Sequence, residues 1–142
     1  MSERQRAGRR QLIVRLGLAG MAAVHLWWGL WAYAAPHHFF TVFPGLGQHW
    51  TAGYPPYNEH LVVDLGATFL TIGILLAVPA VRYRRAVARL ALAGAIVFDT
   101  LHLAFHATHR GVLTDPDWAA GLTPLVVGVL LPVALWVTAP PD

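Results

Sequence analysis

Four predominantly apolar stretches dominate the chain, and each is long enough to cross a lipid bilayer. They cover residues 12–35, 61–81, 86–107 and 118–139. A spanning helix needs roughly 20 apolar residues, and a backbone in lipid must satisfy its own hydrogen bonds. The stretches lack the apolar–polar alternation of barrel strands. The sequence therefore predicts an all-α fold, an integral membrane four-helix bundle.

The composition agrees with this class. Only 12% of the 142 residues are charged and 56% are hydrophobic, whereas soluble domains average about 25% charged residues. The length predicts a single transmembrane domain covering residues 1–142. Because the chain has no cysteine, disulfides, thiolate metal sites and cysteine nucleophiles are excluded.

The arginines predict the orientation of the bundle, because cytoplasmic loops of membrane proteins collect positive charge. All ten basic residues are arginine, a usage typical of GC-rich bacterial genomes. Nine of them lie at one end of the predicted spans, and only Arg110 lies at the opposite end. We expect both termini in the cytoplasm, an outer loop at residues 36–57, and a bacterial plasma membrane location. The arginines border apolar segments, so their expected partner is the lipid bilayer and not nucleic acid. The predicted cytoplasmic arginines are Arg4, Arg6, Arg9, Arg10, Arg15, Arg82, Arg84, Arg85 and Arg89.

The segments that flank the stretches carry their own signals. Cleavage of the first stretch as a signal peptide is an alternative, but its length favours a retained span. Asn58 is the predicted N-cap of the second span, and Asp115 that of the fourth. The outer loop is rich in proline, glycine and aromatic residues. We expect it to fold over the outer mouth of the bundle, with a short helix around residues 37–42.

Ionisable side chains inside the spans are the second unusual feature. Asp64 and Asp99 lie within apolar stretches, where a charge costs about 2.5 to 3.5 kcal/mol at mid-helix. His60 and Asp64 share one helix face, as do Asp99, His102 and His106. Counting about 1.5 Å per residue from the outer helix ends places His106 level with His60, and His102 level with Asp64. The spacing predicts one polar column that opens outward.

A transition-metal site is the first interpretation of this column. His60, Asp64, His102 and His106 offer three imidazoles and a carboxylate, a set that suits zinc or iron. Asp99 would then accept a hydrogen bond from a ligating histidine. The alternative is a metal-free Asp–His cluster that holds two helices together.

Three further interpretations stay open. A membrane enzyme, an isomerase, cyclase or hydrolase, would use Asp64 and Asp99 as acid and base on a lipid-soluble small molecule. Haem would be bound by His25 together with His102. The third is a non-catalytic accessory subunit, with a membrane-protein partner or a homo-oligomer as its assembly.

Three segments carry a family resemblance: GLAGMAAVHLWWGLWAYAAPHHFFTVFPGLG, PPYNEHLVVDLGA and FDTLHLAFHATHR. They resemble small four-span membrane proteins of actinobacteria, whose layout with a long first outer loop is similar to the DoxX-like four-helix class. The resemblance covers most of the chain beyond Gly17 and is specific around Tyr57–Ala67. It implies the four-span topology and assigns no catalytic residue.

Overall fold

The computed structural model describes residues 3–142, with side chains from Gln5 onward. Within this range most of the chain is helical. Arg4, part of the predicted cytoplasmic arginine cluster, has its side chain outside the described residues. The elements are α1 (Glu3–Ala34), α2 (Pro36–Val42), β1 (Pro44–Gly45), β2 (Gln48–His49), a 3-10 turn (Thr51–Gly53), α3 (Glu59–Val81), α4 (Arg85–Thr108) and α5 (Asp115–Thr138).

Four of these helices are long and apolar enough to cross a membrane: α1 from Gln5 onward, α3, α4 and α5. The predicted all-α, four-helix membrane fold is confirmed, and each predicted stretch lies within or beside one of them. Helix α1 begins before its apolar stretch, at Glu3, because the arginine-rich segment continues the same helix. The single domain and the side of the membrane on which the termini lie stay predictions.

Helices α1 and α3 form the closest antiparallel pair, because glycines remove the side chains at their crossing. A Cβ atom at Gly29 would lie 2.7 Å from the backbone nitrogen of Leu70. One at Gly66 would lie 2.7 Å from the backbone nitrogen of Tyr33. Both distances are shorter than real Cβ contacts, so the two backbones touch directly, as small residues permit in membrane helices.

Arg15 of α1 contacts the C-terminal end of α3. Its Nε donates to the Ala80 carbonyl oxygen at 2.9 Å, and its Nη2 donates to that of Val81 at 3.2 Å. The last carbonyls of a helix have no partner within the helix, so Arg15 caps α3 from the neighbouring helix.

An apolar core fills this half of the bundle between the four long helices, and α1, α3, α4 and α5 all contribute to it. Its buried members are Val14, Leu18, Met21, Ala22, Ile72, Leu76, Ala88, Ala91, Leu92, Ala95 and Leu135.

The segment 36–57 folds over the opposite end of the bundle, which we call the loop end. The predicted short helix is confirmed as α2, whose Phe39 is only 1% exposed. The amide of Val112 donates to the Gly53 carbonyl oxygen at 2.9 Å, which ties this segment to the α4–α5 connection. The loop therefore closes the end of the bundle.

The helix caps were predicted with mixed success. Asn58 caps α3 as expected, since its Oδ1 accepts a hydrogen bond from the Leu61 amide at 3.2 Å. The prediction of Asp115 as the cap of α5 is wrong. Thr114 keeps an extended backbone and its Oγ1 accepts from the Asp117 amide, so Asp115 is already the first helical residue. There it pairs with Arg110.

Candidate functional site

The buried face of α4 changes its chemistry at mid-helix. From its start to Ala95 this face is small and apolar, and it then continues as Asp99, His102 and His106. Asp99 lies nine residues before the end of α4 at Thr108, about 14 Å along the helix. The half of α4 nearest the loop end therefore presents titratable groups towards the interior.

Asp99 is the deepest of these groups and is only 9% exposed. It faces α5 at Gly128, where an added Cβ would lie 3.6 Å from the Asp99 carboxyl carbon. Its Oδ2 is buried and has no hydrogen-bond partner among the described residues. Buried polar atoms in native proteins nearly always have a partner. The predicted bond from a histidine to Asp99 is therefore not formed at this oxygen.

His102 and His106 form the next two steps towards the loop end. Their ring centroids are 4.7 Å apart, and the His102 ring also contacts Phe98 at 5.4 Å. Over the part of the chain that is described, neither ring nitrogen of His102 makes a hydrogen bond. Asp99 and His102 thus lie one turn apart with unused hydrogen-bonding capacity.

Tyr54 connects His106 to the 36–57 segment. Its hydroxyl donates to the His109 carbonyl oxygen at 2.8 Å and lies 2.8 Å from His106 Nδ1. The hydroxyl has a single proton, so while it donates to the carbonyl, Nδ1 must donate to the hydroxyl. Neutral His106 then carries its free lone pair on Nε2. Burial raises the pKa of Tyr54 above its usual value of about 10.

The α5 helix fixes this arrangement from the other side. Trp118 Nε1 donates to the His106 carbonyl oxygen at 2.7 Å. At the opposite end of the same antiparallel pair, Arg89 Nε donates to the Trp136 carbonyl oxygen at 3.3 Å and stacks on that indole. The polar face of α4 is therefore held between α5 and Tyr54.

His25 is buried but lies apart from the α4 histidines. Its Nδ1 bonds to the Met21 carbonyl oxygen within α1, at 2.8 Å. Ring contacts then run from His25 to Phe69, from Phe69 to Phe98, and from Phe98 to His102. The phenyl rings of Phe69 and Phe98 therefore fill the space between the His25 and His102 imidazoles, which a haem would have to occupy. The arrangement gives no support to haem binding by this pair.

His60 and Asp64 pair with each other on α3, at 3.3 Å between Nε2 and Oδ2. Their side chains are 80% and 60% exposed, so they lie on the outer surface of the bundle. Among the described residues there is no group of three or more His, Asp or Glu side chains that could hold a metal ion. The structure therefore divides the predicted single column into a buried part on α4 and an exposed part on α3.

Two members of the site were missed from the sequence. Tyr54 lies in the aromatic-rich outer loop, and no local pattern links it to a histidine that follows 52 residues later. Gly128 gave the better signal, since a glycine on a neighbouring membrane helix leaves space for a polar side chain.

Comparison with known proteins adds no assignment. No protein-family model, curated protein or solved structure matches this chain. The similarity to the DoxX-like class stays a prediction, and function has to be argued from the chemistry of the α4 site.

Proposed function

We propose that this multi-pass membrane protein performs acid–base chemistry on a membrane-soluble substrate, at Asp99 and His102. One observation carries the proposal: the buried Asp99 Oδ2 has no partner among the described residues, while the ring nitrogens of His102 one turn away are unbonded. A substrate with a polar head group would supply the missing partner. A carboxyl and an imidazole are the usual groups for general acid–base catalysis.

In this proposal Asp99 exchanges a proton with the substrate, and His102 is the second proton-transfer group. Asp64 has no part in it, because its side chain is exposed on α3 and pairs with His60. The sequence predicted two catalytic carboxylates, Asp64 and Asp99, and the proposal keeps only the buried Asp99.

The connection to water runs towards the loop end. The His106 ring lies beside that of His102, and the Tyr54 hydroxyl joins His106 to the segment that covers this end. The other half of the α4 face is apolar up to Ala95. Protons are therefore exchanged with one side of the membrane only, which favours a reaction site over a transmembrane proton path.

We also propose that the loop end faces the outside of a bacterial plasma membrane and that both termini are cytoplasmic. The support is the distribution of arginine, since nine of the ten lie towards the other end of the spans. A fusion at the C-terminus tests this orientation, with a reporter enzyme that is active on only one side of the membrane. Activity of a periplasmic reporter there would reject it.

The acid–base site is tested by infrared difference spectroscopy of the protein in liposomes during a pH titration. The wild type is expected to show a buried carboxyl C=O band that changes with pH. Asp99→Asn abolishes this band. Asp64→Asn, which removes the other carboxyl within a span, retains it. A band that survives in Asp99→Asn would show that Asp99 is not the titrating group.

The substrate is tested by mass spectrometry of solvent extracts from the same three purified proteins. A membrane-soluble compound should accompany the wild type and Asp64→Asn and be depleted from Asp99→Asn. Equal retention by all three proteins would place the compound elsewhere and contradict a substrate site at Asp99.

A further inference from the structure

The exposed face of α3 near the loop end differs from the other exposed faces of the long helices. It carries His60, Asp64, Ala67, Thr68 and Thr71, which are all exposed and all polar or small. On α4 and α5 the exposed positions combine small residues with many large apolar ones, as lipid contact favours, and the exposed positions within their spans carry no ionisable pair like His60 and Asp64. The large apolar ones include Val87, Leu90, Val97, Leu101, Phe105, Val126, Val127, Leu130 and Val137. We call the α3 group the polar stripe.

The polar stripe reaches well into the span. Asp64 lies five residues after the start of α3 at Glu59, about 8 Å along the helix, and Thr71 lies about 18 Å along it. Lipid tails offer no hydrogen bonds, so ionisable residues in spans normally face protein or water. The carboxyl of Asp64 has His60 as its partner among the described residues, and that pair is itself exposed.

Within the described part of the chain, nothing else covers this stripe. Helix α1 packs on the opposite face of α3, at Gly66 and Gly73. The 36–57 segment contacts the bundle through Phe39 and Gly53, away from the stripe. Asp64, Thr68 and Thr71 instead line a shallow surface recess together with Ala67 and Ile72.

We propose that a second copy of this chain covers the polar stripe, through a two-fold interface between α3 helices. The stripe is self-complementary in charge, because each copy contributes one base, His60, and one acid, Asp64, a single turn apart. In a two-fold pair with its axis along the membrane normal, the two α3 helices run parallel, and His60 of each protomer pairs diagonally with the partner's Asp64 one turn away. Ala67 and Thr71, four residues apart, form the small-xxx-small pattern that lets membrane helices approach closely. This inference is independent of the proposed acid–base chemistry.

Because the chain has no cysteine, single cysteines provide a direct test in native membranes. Ala67→Cys and Thr71→Cys are placed on the stripe. Leu101→Cys and Val97→Cys on exposed α4 positions lie at matching depths, about 11 Å and about 17 Å from their helix end. On oxidation, the two stripe variants are expected to give a disulfide-linked dimer, and the two α4 variants to stay monomeric. Equal dimer yields at all four positions would indicate random collision and overturn the proposal.

A bulky substitution checks the interface without oxidation. Ala67→Trp should weaken dimerisation in liposomes by about tenfold or more, because it overpacks the centre of the contact. Leu101→Trp, which places the same indole on the exposed α4 face, should leave it unchanged. The readout is the number of photobleaching steps per labelled particle as the protein is diluted in lipid. A wild-type protein that is already monomeric at the highest density would overturn the proposal, as would equal effects of both substitutions.

Discussion

The direct contact between the backbones of α1 and α3 leads to a quantitative prediction for Gly66→Ala. A Cβ at Gly66 would lie 2.7 Å from the Tyr33 nitrogen, 3.0 Å from the Gly29 oxygen and 3.1 Å from the Ala32 carbonyl carbon. All three atoms belong to the α1 backbone. No side-chain rotation relieves the contact, so the helices themselves must separate.

The size of the effect follows from these distances. Ordinary van der Waals contact begins at 3.4 Å, so α1 has to move by about 3.4 − 2.7 = 0.7 Å. Overpacking of this kind costs about 1–3 kcal/mol. Against it stands a gain of up to about 1 kcal/mol, because alanine is a better helix former than glycine.

Gly94→Ala on α4 is the matched control. It gives the same helix-propensity gain, but an added Cβ there meets no heavy atom within 4 Å. The difference between the two variants therefore isolates the cost of separating α1 from α3. We expect Gly66→Ala to be less stable than Gly94→Ala by about 1–3 kcal/mol.

The measurement is the free energy of unfolding in mixed micelles, followed by circular dichroism as denaturing detergent is added. Gly20→Ala on α1, which also meets no heavy atom within 4 Å, gives a second control on the partner helix. Equal stabilities of Gly66→Ala and Gly94→Ala would refute direct backbone contact between α1 and α3.

Three further predictions follow from single contacts. Arg15→Lys removes the planar fork that caps the last carbonyls of α3, and should lower stability by about 1 kcal/mol in the same assay; Arg9→Lys serves as the control. Asn58→Ala should cost about 1 kcal/mol by removing the N-cap of α3, and Asn58→Asp should recover most of it. Because burial raises the pKa of Tyr54, its contribution to stability is complete below about pH 10 and is lost as the pH rises through the higher folded value. Tyr54→Phe should therefore show a smaller fall in melting temperature between pH 9 and pH 11, and an unchanged fall would contradict this role.

The spans were predictable because length and apolarity alone determine them. A stretch of roughly 20 mainly apolar residues with few charges has few other stable forms in a bilayer. The ends of the helices were harder to predict. Helix α1 runs on through its arginines, and Thr114 caps α5 in place of Asp115, since both outcomes depend on local backbone geometry and not on hydropathy.

The division of the polar column was not predictable from residue spacing. Periodicity correctly grouped His60 with Asp64, and Asp99 with the two histidines that follow it, but it does not say which neighbour a face meets. The orientation of α3 about its own axis is set by Gly66 and Gly73, where α1 packs. Asp64 is two residues from Gly66, roughly 200° around the helix, so close packing of that glycine turns Asp64 to the outside.

In a membrane helix, hydrophobic periodicity does not distinguish the face towards the protein interior from the face towards lipid. The sequence therefore does not show which way Asp64 points. In a soluble bundle the polar face meets water, whereas in a bilayer a polar face belongs in the protein interior. That rule favours an inward Asp64, and the glycine contacts place it outward. Both hold at once if the polar stripe of α3 is interior to a dimer rather than to one protomer. The buried Asp99 and the exposed Asp64 then follow one physical rule at two levels of assembly.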